Sequence, residues 1–277
     1  SFKIFNNKNN NYKFIICSTQ FYNIFLQLKK KIKKSRIKFF FDFKNKEKII
    51  LKIINHQRDF IAINKLLNKK SVIIDVGGNT GLLSLFLFLK KKIKYSYIFE
   101  PQKNLCKSMK LIFNKFKFYN FKIFNKVLSD SNYKTFSLYL PYKDHFIYSG
   151  HASLDKKKIA LSRKEKKILK FKKIKVNNYN TKFLFSMLKR KKENINFIKI
   201  DVEGSEIPVL NNLKKIILFN KPIIYVEILR KNNKKFLNYV KQNLSFYNLY
   251  QLQDDKLVLN KKNISVHKFL IKKWDGF

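Results

Sequence analysis

Cysteine is nearly absent from this sequence, which has only Cys17 and Cys106 among its 277 residues. The two lie in unrelated contexts, so they predict neither a metal site built on paired cysteines nor a disulfide framework. Such sparing use of cysteine is typical of a reducing compartment, and we expect a cytoplasmic protein. Long apolar runs are missing as well: the longest, 82–89, is broken by Ser84. It is far shorter than the roughly 20 residues of a membrane-spanning helix, so we expect no membrane span.

Acidic residues are also few, with 17 Asp and Glu against 62 Lys and Arg, and the net charge is +45. A charge of this size is typical of proteins that bind RNA, DNA or anionic lipid. However, Lys, Asn, Ile, Phe and Tyr can all be encoded by codons made only of A and T, and all five are abundant together. The basic residues are spread along the chain, whereas a dedicated groove would require them in one stripe. We therefore favour a compositional origin for the charge and keep nucleic-acid binding as the less favoured alternative.

Glycine is scarce too, yet three of the six glycines fall within five positions in "VIIDVGGNTGLLSL". Gly77 and Gly78 allow a sharp reversal in which a ligand can touch the backbone, and Gly81 allows the next helix to pack close to its strand. The pattern is not that of a nucleotide-triphosphate loop, because no Lys or Ser directly follows Gly81. It is not a nicotinamide fingerprint, because Asn79 occupies the place of the second glycine. What remains, Asp75 followed by Gly77 and Gly81, suits a ligand with an amino-acid end and a nucleoside but no phosphate.

From about residue 70 onward, predicted strands alternate with predicted helices. The expected strands are 71–76, 95–100, 121–127, 196–202, 222–227 and a closing pair within 245–260, and the expected helices are 80–89, 101–116, 179–190, 205–213 and 232–243. Residues 130–176 are predicted to be irregular, with a hairpin around 135–140 and a strand at 171–176. The alternation predicts an α/β fold with a parallel sheet and helices on both faces.

The first 70 residues are less regular. The segments "IKFFFDF" and "KIILKII" predict strands of a β extension, whereas "RDFIAINKLL" predicts a helix that leads into the sheet. We therefore place an N-terminal β/α extension at 1–54 and the main domain at 55–277. A homodimer contact through this extension is left open.

The few acidic residues concentrate where predicted strands end. Six of the 17 lie at or just after such ends: Asp75, Glu100, Asp130, Asp201, Glu203 and Glu227. A need for polar residues alone would favour Lys or Asn, which are far commoner here. Ligands of open parallel sheets bind beyond the carboxyl ends of the strands, so the acids indicate one shared ligand edge. Glu100 could accept both hydroxyls of a ribose there, a feature that a nicotinamide enzyme would share.

Several motifs in a fixed order resemble the FkbM family of S-adenosylmethionine-dependent methyltransferases, over roughly residues 55–230. They are "VIIDVGGNTGLLSL", "YIFEP", "KVLSD" and "NFIKIDVEGSEIPVL" followed by "KPIIYVEI". Each motif alone is weak, but their joint order and spacing are specific. Three features depart from the family pattern: Gly78 stands where Ala is usual, "NYNTKF" stands where T-L-D is usual, and 131–176 matches only at "GHASL".

This resemblance implies a Rossmann-like class I methyltransferase fold, with a mostly parallel seven-stranded sheet, helices on both faces, and S-adenosylmethionine as the cofactor. It also implies which residues surround that cofactor. Those expected to do so are Asp75, Gly77, Gly78, Asn79 and Gly81 at the methionine end, Glu100 at the ribose, and Ser129 and Asp130 at the adenine. Asn79 is also a candidate cap of the following helix.

An alcohol acceptor must lose its proton, and a carboxylate or a histidine within hydrogen-bond reach can accept it. The resemblance places Asp201 and Glu203 at the methyl-transfer site, and Asp201 is our first candidate for the base. His151, in "SGHASL", is the second, although a lone histidine is more often structural. Asp201 and Glu203 would also suit a metal ion as oxygen ligands, but two carboxylates at this spacing are thin support, and we predict no metal.

The resulting hypothesis is O-methylation of a hydroxyl on a sugar, a glycan or a secondary metabolite. Its alternatives are methylation of RNA, suggested by the charge, and a binding module of the same fold without catalysis. An RNA enzyme would present stacking aromatic residues in a basic groove, whereas the Phe and Tyr residues here follow buried patterns. Loss of Asp75, Glu100 or the glycines would favour the silent module, and all are present.

Overall fold

The computed structural model describes residues 2–5, 13–16, 37–39, 46–54, 57–143, 146–159, 169–229, 232–253, 256–259 and 268–273. The strands are β1 (Phe2–Phe5), β2 (Lys13–Ile16), β3 (Ile37–Phe39), β4 (Ser71–Val76), β5 (Ile93–Phe99), β6 (Phe121–Phe124), β7 (Val127–Leu128), β8 (Thr135–Lys143), β9 (Phe146–Ile147), β10 (Lys170–Tyr179), β11 (Phe197–Ile200), β12 (Ile223–Glu227), β13 (Tyr247–Gln253), β14 (Lys256–Leu259) and β15 (Lys268–Lys273). The helices are α1 (Lys46–Ile54), α2 (Arg58–Leu66), α3 (Leu82–Leu89), α4 (Lys103–Lys115), α5 (Lys182–Arg190), α6 (Glu206–Asn220) and α7 (Asn233–Asn243). Short 3-10 turns lie at Ser149–His151 and Lys156–Lys158.

Eight strands form the central sheet among the described residues, in the order β14-β13-β15-β12-β11-β4-β5-β6. The five from β12 to β6 are parallel, and β15, β13 and β14 extend the sheet antiparallel. This confirms the predicted α/β fold with a mostly parallel sheet. The sheet has one strand more than the seven expected, because β15 pairs between β12 and β13. Its apolar run, "FLI", is too short between lysines to predict a strand.

Apolar residues cover both faces of the sheet, because successive side chains of a strand point to opposite faces. In β4, Val72, Ile74 and Val76 pack with buried residues of α5, α6 and α7. Ile73 points the other way and packs with buried residues of α1 to α4. Every residue of β4 is buried, which explains its nearly continuous β-branched sequence. The prediction of helices on both faces is confirmed.

The segment predicted to be irregular forms a second sheet, of four strands in the order β7-β10-β8-β9. The predicted hairpin region lies in β8 and the predicted strand at 171–176 lies in β10, and these two strands pair antiparallel. Leu138, Leu140 and Val176 form a small apolar core on this sheet. Leu138 and Val127 also line a cleft at the carboxyl edge of the central sheet, so the second sheet supplies one wall of that cleft.

The N-terminal part of the chain contains a three-stranded sheet, in the order β1-β2-β3, followed by α1 and α2. The strand predicted for "KIILKII" is wrong, because this segment lies in α1, where Ile50 and Ile54 share one helical face and are buried. The helix predicted for "RDFIAINKLL" is confirmed as α2. The division of the chain at 54 and 55 stays a prediction. Among the helices of the described residues, none has the length and apolarity that crossing a membrane requires.

Candidate active site

A cleft lies at the carboxyl edge of the central sheet, where the loops after β4, β5 and β11 meet. Five of the predicted site residues line it: Gly77, Asn79, Glu100, Asp201 and Glu203. Residues of the second sheet and of the 149–154 segment line its other side. The fold thus brings together side chains that are distant in sequence, as parallel strands do at their carboxyl ends.

The loop after β4 runs tightly against its neighbours, and two of its glycines make this possible. Gly77 has a φ of +75°, and a Cβ there would overlap the backbone oxygen of Asp201. Gly81 has a φ of +73°, and a Cβ there would lie 2.7 Å from the Phe113 ring of α4. The close neighbour of Gly81 is therefore α4, and not the preceding strand as we expected. Both positions require glycine, for conformation and for space.

Glu100 directly follows β5 and is 3% exposed. One carboxylate oxygen accepts a hydrogen bond from the backbone N–H of Asn79 (2.9 Å), and the other accepts one from the backbone N–H of Gln102 (2.8 Å). Burial raises the pKa of Glu100 to about 7, against the opposing effect of these two hydrogen bonds. Each carboxylate oxygen has a second lone pair. The side chain can therefore accept further hydrogen bonds from a ligand in the cleft.

Lys199 is a buried lysine in β11 that ties the ends of β4 and β11 together. Its Nζ lies 3.1 Å from a carboxylate oxygen of Asp201 and 3.8 Å from one of Asp75, and it donates a hydrogen bond to the backbone oxygen of Gly77 (3.1 Å). Burial alone would lower the pKa of Lys199, but Asp201 and Asp75 raise it above its ordinary value, so the ammonium stays charged. Burial raises the pKa of Asp75, whose other oxygen accepts a hydrogen bond from Ser84 (3.0 Å).

Glu203 has a different environment from Asp201. Its Oε2 is buried and has no hydrogen-bond partner among the described residues. Its backbone has a φ of 51°, a left-handed conformation that is uncommon outside glycine. Burial, reinforced by the carboxylates of Asp201 and Glu227, raises the pKa of Glu203 to about 8. The two acids of "DVEG" therefore differ: Asp201 is paired with a cation, whereas Glu203 exchanges its proton close to neutral pH.

The other six predicted site residues do not line this cleft. They are Asp75, Gly78, Gly81, Ser129, Asp130 and His151. Ser129 and Asp130 line a second cleft, which begins directly after Leu128 of the first. His151 lies in a 3-10 turn between two residues that line the first cleft, and its Nδ1 is buried without a hydrogen-bond partner in the described part of the chain. The roles assigned to these six residues stay predictions.

Residues 149–158, which we call the strap, border the cleft and are bonded to the loops on its other side. Three hydrogen bonds join them: Gln102 Nε2 to the Ser149 oxygen (3.0 Å), Ser153 Oγ to the Glu203 oxygen (2.7 Å) and Lys158 Nζ to the Gly204 oxygen (2.9 Å). The strap therefore connects to the loops after both β5 and β11.

Sequence reasoning left Lys199, Gln102 and Lys158 out of the site. A signal existed for Lys199, because a lysine inside the otherwise apolar "NFIKID" must find a buried partner. Its spacing of two from Asp201 places both side chains on the same side of the strand. For Gln102 and Lys158 nothing in the local sequence indicates the contact, since both partners lie more than 40 positions away.

The cleft is acidic although the chain is strongly basic. Its lining carries the carboxyl groups of Glu100, Asp201 and Glu203 and the ammonium group of Lys126. Such a lining favours a ligand with positive charge. Within the described ranges, no three His, Cys, Asp or Glu side chains are grouped so that they could hold a metal ion.

A model of the family described as the Methyltransferase FkbM domain matches residues 75–254. The match begins at Asp75 and contains Glu100, Lys199 and both acids of "DVEG". This chain belongs to the FkbM methyltransferase family. It is therefore a methyltransferase with S-adenosylmethionine as its cofactor, and the resemblance inferred from the motifs is confirmed.

Solved structures also align with this FkbM-family chain, all at low identity. The methyltransferase FkbM from Methylobacillus flagellatus KT is 12% identical with a TM-score of 0.45, and the alignment covers 73% of this chain and 43% of that one. An rRNA methylase from Streptococcus thermophilus is 14% identical with a TM-score of 0.41, covering 79% and 95%. M. capricolum TrmK in complex with S-adenosyl-homocysteine is 13% identical with a TM-score of 0.36, covering 79% and 70%. The chain thus spans less than half of the Methylobacillus protein, and no curated protein sequence matches it significantly.

The cleft of this methyltransferase fits S-adenosylmethionine in four respects. The position of Gly77 has no room for a Cβ, so at this position only backbone atoms face the ligand. The carboxyl of Glu100 ends the neighbouring strand, where it can accept ribose hydroxyls. Asn79 Oδ1 is buried on the cleft wall without a hydrogen-bond partner among the described residues, so it can accept a bond from the amino group of the cofactor. The acidic lining also suits the positive sulfur and amino group.

Proposed function

We propose that this methyltransferase transfers the methyl group of S-adenosylmethionine to a hydroxyl of a sugar, a glycan or a secondary metabolite. The observation that carries the proposal is the carboxyl of Glu203, which has a buried, unpartnered oxygen on the cleft wall as the described residues show it. A hydroxyl is a weak nucleophile until a base takes its proton. A carboxyl with a pKa of about 8 is a stronger base, once ionised, than an ordinary carboxylate. The site is therefore equipped for a hydroxyl acceptor.

In this proposal the loops after β4 and β5 hold the cofactor. Gly77 and Asn79 contact its methionine end, Glu100 accepts the ribose hydroxyls, and the adenine lies toward Ser129 and Asp130. The bound cofactor supplies a methyl group on a positively charged sulfur that is already a good leaving group. The protein must therefore mainly align the acceptor and exclude water, and such alignment can supply ~7–11 kcal/mol of the barrier.

The sequence suggested Asp201 as the first candidate base and His151 as the second, but the environments of the two acids favour Glu203. Asp201 lies 3.1 Å from Lys199, and a paired cation makes a carboxylate a weaker base. Glu203 has no such partner on its Oε2 among the described residues, and its burial favours proton uptake. We therefore assign proton removal to Glu203 and the positioning of the glycine loop to Asp201 with Lys199. His151 stays a candidate base only because it lies in the strap, which borders the cleft.

RNA is the second candidate acceptor, because four lysines and the exposed ring of Tyr133 line the second cleft, which begins at Ser129. The lining of the first cleft opposes it. A ribose hydroxyl of RNA is flanked by phosphates, which would be repelled by the Glu203 carboxylate in its ionised form, the form that accepts the proton. A neutral sugar or metabolite avoids this repulsion, so it remains the first candidate.

Incubation with S-adenosylmethionine that carries a tritiated methyl group tests the acceptor. The protein is mixed with separate pools of glycans, lipid-linked sugars, small metabolites and RNA, and the labelled product is fractionated. We expect label in carbohydrate or metabolite fractions, in a form that resists mild alkali as a methyl ether does. Label found only in RNA would overturn the proposed acceptor. Failure to bind the cofactor in calorimetry would overturn the assignment of the cleft.

A further inference from the structure

The second cleft adjoins the first but is built from other elements. Its walls are the 129–134 loop after β7, the segment that leads from β10 into α5, and one side of α6. On α6, Val209 lines the first cleft and Asn212, one turn later, lines the second. The two clefts are therefore neighbours that share the Leu128–Ser129 connection.

The lining of the second cleft is basic and rich in amide groups. Its lysines are Lys134, Lys182, Lys214 and Lys215. Asp130, the single acid among its lining residues, already accepts a hydrogen bond from the Asn211 side chain (2.7 Å). The four ammonium groups therefore remain available to an anionic ligand.

An exposed aromatic side chain lies on the second cleft, and two more directly follow its lining residues. Among the described residues, the large apolar side chains that are more than half exposed are Phe183 (76%), Tyr133 (73%), Tyr119 (65%) and Phe219 (57%). Tyr133 lines the second cleft, and Phe183 and Phe219 directly follow two other lining residues, Lys182 and Leu218. Exposed apolar surface that clusters in this way marks binding sites. These four residues are exceptions to the expectation that the Phe and Tyr residues are mostly buried.

The loop that carries Tyr133 is held in one conformation by Asn178. The two N–H groups of the Asn178 side-chain amide are shared among the backbone oxygens of Ser129 (3.2 Å), Ser131 (3.1 Å) and Tyr133 (3.3 Å). An aromatic ring on a fixed loop loses little conformational entropy when a ligand stacks on it. Tyr133 is therefore preorganised for contact.

We propose that the second cleft binds single-stranded RNA. Phosphates would lie against the lysines, with release of counterions. Bases would stack on Tyr133 and Phe183, because every base presents a π face to an exposed aromatic ring. The side-chain amides of Asn132 and Asn180 on the wall provide hydrogen-bonding groups for the 2′-hydroxyls. This inference goes beyond the proposed acceptor. RNA binding is measured without methyl transfer, so its test does not depend on whether the acceptor is a sugar or a metabolite.

Fluorescence anisotropy with a short fluorescein-labelled oligouridine, in ~0.1 M salt, tests the role of the aromatic rings. The double variant Tyr133→Ala, Phe183→Ala is expected to bind at least ~10-fold more weakly than the original protein. Tyr119→Ala, which removes a similarly exposed ring elsewhere, is expected to change binding less than ~2-fold. These residues are exposed, so the variants should keep their fold, which circular dichroism checks.

A second pair of variants separates this cleft from the general charge of the chain. Lys214→Glu with Lys215→Glu should weaken binding at least ~10-fold and lower the salt dependence. Lys107→Glu with Lys110→Glu makes the same charge change on exposed positions of α4 and should have a much smaller effect. Equal losses of RNA affinity in the two pairs of lysine variants would overturn the proposal. Equally tight binding of the control polyanion heparin, weakened to the same extent by Tyr133→Ala with Phe183→Ala, would overturn it as well. Equally tight binding of the corresponding DNA would overturn the preference for RNA.

Discussion

Glu100 changes its charge close to neutral pH, because burial raises its pKa to about 7. The ionised carboxylate accepts hydrogen bonds from ribose hydroxyls more strongly than the protonated group does. We therefore predict that cofactor affinity weakens as the pH falls through this pKa, and that binding near neutral pH releases protons. Calorimetric titrations in two buffers with different ionisation enthalpies measure both effects.

Glu100→Gln keeps the size of the side chain but removes its charge. We expect cofactor binding to weaken by about 1.5 kcal/mol, through loss of charge-assisted hydrogen bonds. The pH dependence assigned to Glu100 should disappear at the same time. Glu47→Gln, at an exposed position of α1, is the matched control and should leave both properties unchanged. An unchanged dissociation constant in Glu100→Gln would refute its contact with the ribose.

Glu203 should control the chemical step, because only its ionised form accepts the proton of the hydroxyl. The single-turnover rate of methyl transfer should rise with pH through its pKa of about 8. Glu203→Gln should lower this rate by ~10²–10⁴-fold with little change in cofactor affinity. Rapid-quench measurements with a labelled cofactor determine the rate.

Asp201→Asn provides the contrast to Glu203→Gln. It leaves the buried charge of Lys199 without its nearest partner, so it should disturb the glycine loop and weaken cofactor binding. A rate loss confined to Asp201→Asn, with Glu203→Gln unaffected, would transfer the role of base back to Asp201.

The positions of the acidic side chains could be predicted from sequence, whereas their ionisation could not. Asp75, Glu100 and Asp201 follow short apolar runs, so their place at one edge of a parallel sheet follows from topology alone. Their proton affinities depend on burial and on neighbours from other segments. Glu203 keeps an oxygen without a partner in the described structure only because of how the loops pack, whereas Lys199 and Asp201 lie two positions apart on one segment.

At the scale of secondary-structure connections, the loop from β4 to α3 requires glycine at position 77. In Gly77→Ala, the new methyl group would overlap the backbone of Asp201 and require a left-handed conformation from alanine. We predict a loss of at least ~2 kcal/mol in the free energy of unfolding and loss of measurable cofactor binding. Denaturant unfolding and calorimetry measure the two effects.

Gly150→Ala is the matched control for this loop. A Cβ at Gly150 would have its nearest neighbour, Asn79 Nδ2, at 3.7 Å, which is an ordinary contact. Its stability should stay within about 0.5 kcal/mol of the original protein. If both alanines destabilised the protein equally, the close approach of Gly77 to β11 would not be the cause.

The βαβ elements from β4 to α7 were predictable because each has a long apolar pattern with clear ends. Other elements were not predictable, and α1 and β15 are two examples. In α1, "KIILKII" has apolar runs that suit a strand as well as a helix, and burial of Ile50 with Ile54 against the main core decides for the helix. In β15, pairing with both β12 and β13 compensates for a short apolar run. Tertiary contacts of this kind leave no local signal.

Over the entire chain, the excess of 62 basic over 17 acidic residues makes self-repulsion a general cost to the folded state. We predict that sodium chloride raised from ~0.05 to ~0.5 M increases the melting temperature, because the Debye length shortens. A gain of about 1 kcal/mol would correspond to roughly 2–4 °C for a chain of this size. Buried pairs such as Lys199 with Asp201 are screened little and should not reverse the trend. A fall in melting temperature would show that attractive surface pairs dominate.

The strap has a consequence for the lifetime of a bound molecule. On one side of the cleft its Ser149 carbonyl accepts a hydrogen bond from Gln102. On the other side its Ser153 hydroxyl and Lys158 ammonium group donate hydrogen bonds to the backbone oxygens of Glu203 and Gly204. We predict that a spent cofactor leaves on this side only after these three hydrogen bonds have opened. Loss of one of these hydrogen bonds, as in Lys158→Ala, would then shorten the time for which the product stays bound. The slowest step of each catalytic cycle would change from product release to methyl transfer.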